Sequence, residues 1–178
     1  ISVKLPGQKP VIIDGADAMP EVSGLKAHAW REAQLPYGDG IKVNVGHGSI
    51  AIPGMLKALE ATWQRFGRMP WKEVMAPAIQ MASQGVAANV TLASWLELAG
   101  KIIFYPQEES RKSFFPTGWA IRESDIFTLP GYQQTLEAIA AEGSWVFYEG
   151  HIAEAFEKEI QSHGGYLKSS DMAAYQAI

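Results

Sequence analysis

The chain contains no cysteine. That excludes disulfides, thiolate metal ligands and cysteine nucleophiles within it. It leaves the redox compartment open, because secreted and cytosolic proteins can both lack the residue. Charge is sparse and slightly negative: 15 Lys and Arg stand against 19 Asp and Glu, a formal net charge of −4. A mildly acidic chain without a basic run is a poor partner for nucleic acid or an anionic bilayer. No apolar run approaches the roughly 18–20 residues of a membrane span. Internal repeats and low-complexity tracts are also missing. No signal peptide is visible and the first residue is Ile1 rather than Met, so processing or truncation would hide any targeting segment. The compartment, periplasmic or secreted against cytoplasmic, stays open.

The common catalytic signatures are missing as well. His28, His47, His151 and His163 show no H-x-x-x-H spacing, and the carboxylates form no clustered triad along the sequence. No metal or other cofactor is expected, and these histidines read as surface or capping residues. Gly46-His47-Gly48-Ser49-Ile50 does not match the G-x-S-x-G elbow. A Ser–His–Asp triad needs only to converge in space, so spacing leaves it open. Gly46, Gly48 and Gly54 fit neither phosphate-loop pattern. Tight backbone packing is their expected use.

What is present is helical. At 178 residues and 47% hydrophobic, the chain has the size and apolar content of one ordinary domain. Ile52, Met55, Leu59, Trp63 and Phe66 recur every three or four residues, which predicts one helical face ending at Gly67. Trp71, Val74, Met75, Ala78, Ile79 and Ala82 repeat the spacing and stop at Gly85. Pro77 inside this set predicts a break, with Pro77 opening a new helix. Further helices are expected from Asn89 or Thr91 to about Phe104 (face Leu92, Trp95, Leu96, Ala99, Ile102, Ile103), around Leu136, Ile139 and Ala140, and from His151 to Ser162 (face Ile152, Ala155, Phe156, Ile160). Ser169 is the expected N-cap of a last helix, with Asp171 in its first turn. The tryptophans, Trp63, Trp71 and Trp145 among them, are expected in the core. Ile1–Lys4 and Val11–Asp14 flank Pro6-Gly7 and predict a hairpin. Ser23–Ala33 suggests a short helix, and alternating Ile41, Val43 and Val45 a strand. Gln107–Ile126 reads as a solvated segment.

The order of several stretches carries more than their periodicity. Ala51-Ile52-Pro53-Gly54 is followed by a dozen helical residues and then RFGRMPWKEVMAPAIQMASQG at 65–85. Later come Thr135–Gly143 (TLEAIAAEG), Trp145–Phe156 (WVFYEGHIAEAF) and Gly165–Tyr175 (GYLKSSDMAAY). Together these resemble, in the same order, the γ-glutamyltransferase (γ-glutamyltranspeptidase) family of N-terminal-nucleophile hydrolases. The resemblance runs from about Asp14 to Tyr175. It implies an α+β fold, the helix-rich part of an α/β/β/α N-terminal-nucleophile hydrolase sandwich, with residues 1–178 a single, incomplete domain from the central portion of the large subunit.

The resemblance also implies a mechanism. Family members are precursors (zymogens) that cleave themselves before a threonine, whose freed amine then serves as base while its hydroxyl attacks an amide. Backbone N–H groups hold the oxyanion. That threonine opens the small subunit in a T-T-H or T-T-x-f sequence, which Thr62, Thr91, Thr117, Thr128 and Thr135 lack. No catalytic residue is therefore assigned here. The expected partners are that small subunit and a small-molecule amide substrate, γ-glutamyl compounds such as glutathione being the family default. Residues 14–20, DGADAMP, read as a turn leaving a strand. The family has D-G-R-E-x-x-P in a similar place, its arginine gripping the substrate α-carboxylate through a two-pronged guanidinium. Ala16 at that position cannot donate, which points to another amide, of oxamate or acylase type. Arg31 is a candidate to restore carboxylate binding; the substrate-binding residues are otherwise unknown. The rival expectation is a non-catalytic helical interaction module that keeps the scaffold.

Overall fold

The structure, a computed structural model, describes residues 1–21 and 29–178. Strands β1 (Ser2–Val3) and β2 (Val11–Ile12) pair antiparallel, Ser2 opposite Ile12. Between them Gln8 N–H donates to the Leu5 carbonyl at 3.2 Å, and Gly7 has φ 72°, the positive φ a type II turn needs after Pro6. Strand β3 (Arg31–Leu35) pairs antiparallel with β4 (Ile41–Val45) across the Pro36–Gly40 turn. After a short 3-10 turn at His47–Ser49 come α1 (Met55–Phe66) and α2 (Trp71–Gln84). Strand β5 (Val86–Ala87) precedes α3 (Val90–Trp95), whose N-terminus is capped by Asn89 Oδ1 accepting from Leu92 N–H at 2.8 Å. A π-helical turn, Leu96–Gly100, joins α3 to α4 (Lys101–Ile103). Helix α5 (Glu108–Phe114) and β6 (Ile126–Phe127) follow, β6 pairing with β5. The chain ends with α6 (Tyr132–Glu142), α7 (Trp145–Tyr148), α8 (His151–Ser162) and α9 (Ser169–Ala174).

These elements form two compact units, one of Ile1–Trp30, Gly46–Met75 and Ala138–Ile178, the other of Arg31–Val45 and Ala76–Glu137. The first has a core of Ile52, Tyr148, Ala153, Ile160, Leu167, Met172 and Tyr175, flanked by Leu56, Phe147 and Phe156. The second packs around Ala88, Leu96 and Ile121, with Leu92, Phe114 and Phe127 against them. No helix of the described residues is long and apolar enough to cross a membrane.

Several expectations are corrected. Helix α2 does not break: Pro77 lies inside it, leaving the Glu73 carbonyl without its helical N–H donor, while backbone bonds from Glu73 and Val74 to Pro70 hold the first turn. The segment Arg31–Ala33 is strand, not helix; residues 23–28 of that expected helix lie outside the described residues. REAQL is rich in helix formers, but its alternation buries Ala33 and Leu35, and pairing with β4 overrides propensity. On α1 the inward residue is Ala58, while Met55 and Leu59 are 60% and 46% exposed. On α8, Ala153 is buried and Ala155 faces out. Ser169 is the first residue of α9 rather than its cap. The tryptophans stay out of the buried core, and Trp95, Trp119 and Trp145 are exposed.

The predicted face of α6 is buried as expected at Leu136, Ile139 and Ala140, and Gly143 (φ 79°) terminates that helix. Gly67 ends α1 for a different reason than a left-handed turn. Its φ is −67°, and a Cβ there would meet the Trp63 ring and carbonyl.

Candidate functional site

The segment DGADAMP is held by backbone pairing on both sides. Asp14 exchanges two hydrogen bonds with Ile178, N–H to carbonyl at 2.6 and 3.0 Å. Its carboxylate accepts from Ala16 N–H at 2.9 Å, the side-chain turn that aspartate favours. Ala18 bridges antiparallel to Ile52, so DGADAMP runs beside the AIPG stretch. The glycines make this approach possible. A Cβ on Gly54 would stand 2.6 Å from the carbonyl oxygens of both Ala16 and Gly15 and would strike the Tyr175 hydroxyl; one on Gly15 would strike the Ala58 methyl.

Two tyrosines fasten the arrangement. Tyr175, just past α9, donates its hydroxyl to the Ala16 carbonyl at 2.7 Å. Tyr148, at the end of α7 and fully buried, donates to the Pro53 carbonyl at 2.6 Å and accepts from Lys57 N–H at 3.2 Å. Burial pushes the Tyr148 hydroxyl up to about 12, Tyr175, Glu60 and Asp17 adding to the shift and the Lys57 N–H opposing it. Burial, then Asp14 and Asp17, raise Tyr175. Both hydroxyls thus keep their protons at neutral pH and act as donors, not bases. The sequence carried them only as motif positions, in WVFY and DMAAY; an aromatic residue with a polar tip beside Gly-rich turns was the available signal.

Beside Ala16 opens a cavity of about 590 Å³. Carboxylate residues Asp14, Asp17, Glu21 and Asp171 line it, with Ala16, Ile52 and Tyr175, and no Lys or Arg is among the described residues on its wall. Asp171 is buried and already engaged, accepting from Lys168 N–H at 2.9 Å and Glu21 N–H at 3.3 Å. The wall can hold a cationic or neutral polar group; it offers no fork for a carboxylate. Arg31 does not line this cavity. It lies in β3 of the other unit, where its Nη2 donates to the Ile102 carbonyl at 2.6 Å.

Of the histidines, His28 lies outside the described residues and His151 is exposed at the start of α8. His47 and His163, distant in sequence, stack with ring centroids 4.3 Å apart. Of the threonines, Thr62 and Thr135 donate their hydroxyls to the carbonyls four residues back, those of Ala58 and Gly131.

The γ-glutamyltranspeptidase family model matches residues 7–178. Over 152 residues the chain is 32% identical to glutathione hydrolase proenzyme 1 of Schizosaccharomyces pombe, covering 85% of this chain and 24% of that protein. Over 140 residues it is 31% identical to the glutathione hydrolase proenzyme of Escherichia coli, covering 79% and 24%. The chain therefore spans about a quarter of the length of these relatives. Its structure superposes on Helicobacter pylori γ-glutamyltranspeptidase with a TM-score of 0.82 and 25% identity, covering all of this chain and 50% of that one. Cephalosporin acylase from Bacillus halodurans follows the same course over 93% of this chain and 31% of its own, with a TM-score of 0.70 and 26% identity. The α+β, helix-rich fold is thus that part of the N-terminal-nucleophile hydrolase architecture, and the chain belongs to the γ-glutamyltranspeptidase family.

Proposed function

We propose that residues 1–178 are the central portion of the large subunit of an autoprocessed threonine amidohydrolase or acyltransferase. The relatives from S. pombe and E. coli are named proenzymes, which supports a precursor cut into two subunits. The N-terminal threonine of the small subunit attacks the amide carbonyl. Its amine takes the hydroxyl proton and passes it to the leaving amine. Water, or an acceptor amine, then releases the acyl group from the threonine. The large-subunit segment described here supplies a wall of the acyl pocket.

Within that class we propose a small amide without an α-carboxylate as the preferred substrate, rather than a γ-glutamyl compound such as glutathione. The observation that carries this is Ala16 in a cavity whose charged wall residues are all acidic. A carboxylate entering it would meet Asp14 and Asp17 with no guanidinium to compensate. The acylase relative from B. halodurans supports the same direction. The test is an assay of the full-length protein on a γ-glutamyl anilide and on simple acyl anilides. The simple amides should be preferred, and Ala16→Arg should raise kcat/KM for the γ-glutamyl substrate by about tenfold or more, the scale of a charge-assisted pair. Rapid γ-glutamyl turnover by the unmodified protein would overturn the assignment.

A further inference from the structure

We propose that His47, His163 and Glu159 form a site for one divalent zinc-like cation, outside the Ala16 cavity and independent of the reaction above. One ring nitrogen from each histidine and a Glu159 carboxylate oxygen lie within 4.8 Å of one another. His47 Nε2 is 3.8 Å from Glu159 Oε1, and His163 Nδ1 is 3.4 Å from the same oxygen. Two imidazoles and one carboxylate are the donor set that borderline divalent metals take, with water as fourth ligand.

The backbone presents the three groups. Glu159 is in the last turn of α8 and His163 is its C-cap, four residues on, so both project from one side of the helix end. His47 starts the 3-10 turn after β4 and is fixed by glycines. Gly165 lies so close that a Cβ there would strike the His47 carbonyl, and Gly46 (φ 134°) and Gly48 pack on the Ala29 backbone. His163 Nδ1, the nitrogen that faces the Glu159 carboxylate, is 2.9 Å from the Glu159 carbonyl oxygen and 3.1 Å from the Ser162 hydroxyl, contacts that an ion bound through this nitrogen would replace.

Access is open from one side, because Glu159 and His163 are exposed while His47 is largely covered. A shared ion must lie in the plane of each ring, and the rings are now stacked 12° from parallel. Ligands around a tetrahedral zinc are about 3.3 Å apart, so binding requires the exposed His163 and Glu159 side chains to swing toward the fixed His47 and open the stack. Sequence spacing could not reveal this, because the two histidines meet only through packing of the 3-10 turn on the end of α8. The bound ion would tie those two segments together.

The test uses untagged full-length protein stripped with chelator. Isothermal titration with Zn2+ should give one site per chain, Zn2+ should raise Tm where Mg2+ does not, and Co2+ should show the visible bands of a tetrahedral site. His163→Gln and Glu159→Gln, both at exposed positions, should weaken Zn2+ binding at least about tenfold and abolish the Co2+ bands. His47→Ala should do the same if it folds; the two exposed variants decide the matter if it does not. Absence of a zinc-dependent Tm shift in the unmodified protein, or undiminished binding in both exposed variants, would overturn the proposal.

Discussion

Gly54 shows how much a single residue can carry. Its hydrogen-for-methyl economy lets the Ala16 and Gly15 carbonyls approach where a Cβ would be 2.6 Å from each. Neither oxygen can step aside, because Ala16 holds the Tyr175 hydroxyl and neighbouring Asp14 is paired with Ile178. Gly54→Ala should therefore destabilise the protein by about 1–3 kcal/mol, read as a lower urea midpoint; an unchanged midpoint would mean that the two stretches do not touch. The glycine and its motif were legible in the sequence, but its neighbours were not, since Tyr175 and Ala16 reach it from far along the chain. Ala16 was legible in the same way. Its identity could be read against the family pattern, whereas the acidic residues around it come together only in the folded unit.

At the scale of elements, two helices behave differently from their sequence signals, each for a local reason. Helix α2 continues through Pro77, so that position lacks one backbone hydrogen bond at an exposed site. Pro77→Ala restores the donor to the Glu73 carbonyl and should stabilise by roughly 1–3 kcal/mol, the scale of the proline penalty in a helix interior. A rise in Tm checks this, and a fall would show that the proline ring is needed for packing. Helix α9 begins without a side-chain cap at Ser169. Instead Asp171 accepts from Lys168 N–H at 2.9 Å, and Glu157 of α8 accepts from both the N–H and the hydroxyl of Ser169, at 2.9 and 2.5 Å.

These bonds, the Ser169 hydroxyl first, hold the Glu157 carboxyl below its ordinary value of 4.5. A lowered carboxyl pKa contributes stability that is fully present above the ordinary range and is lost as pH falls through the lowered value. Glu157→Gln should thus be less stable than the parent at pH 7, with the gap closing below about pH 4; equilibrium unfolding at a series of pH values reads it. The sequence placed Ser169 at the start of this helix, but the partner from α8 is a tertiary contact and leaves no periodic trace.

At the scale of the whole molecule, the chain spans about a quarter of its relatives' length, and the function proposed above is that of a full-length protein of which it would be one part. On the proposed reading, that protein should appear by mass spectrometry as two fragments, the second beginning with threonine. Replacing that threonine with alanine should leave one uncut chain. An uncut native protein would instead fit a scaffold that keeps the family fold without its chemistry. The two compact units each have a core of their own, and the sequence, read as one domain's worth of apolar residues, gave no sign of the division.

By itself the sequence determined the helices α1, α6 and α8, the first hairpin, the strand at Ile41–Val45 and the family, because hydrophobic period, turn chemistry and motif order are local and survive reading in one dimension. The tertiary structure alone decided that REAQL is a strand, that α2 runs unbroken, that Ala58 and Ala153 rather than Met55, Leu59 and Ala155 face inward, and that His47 meets His163. Those outcomes depend on which partner a segment finds, and the free energy of burial and pairing with a distant partner exceeds the few tenths of a kcal/mol per residue, roughly, by which local propensities differ.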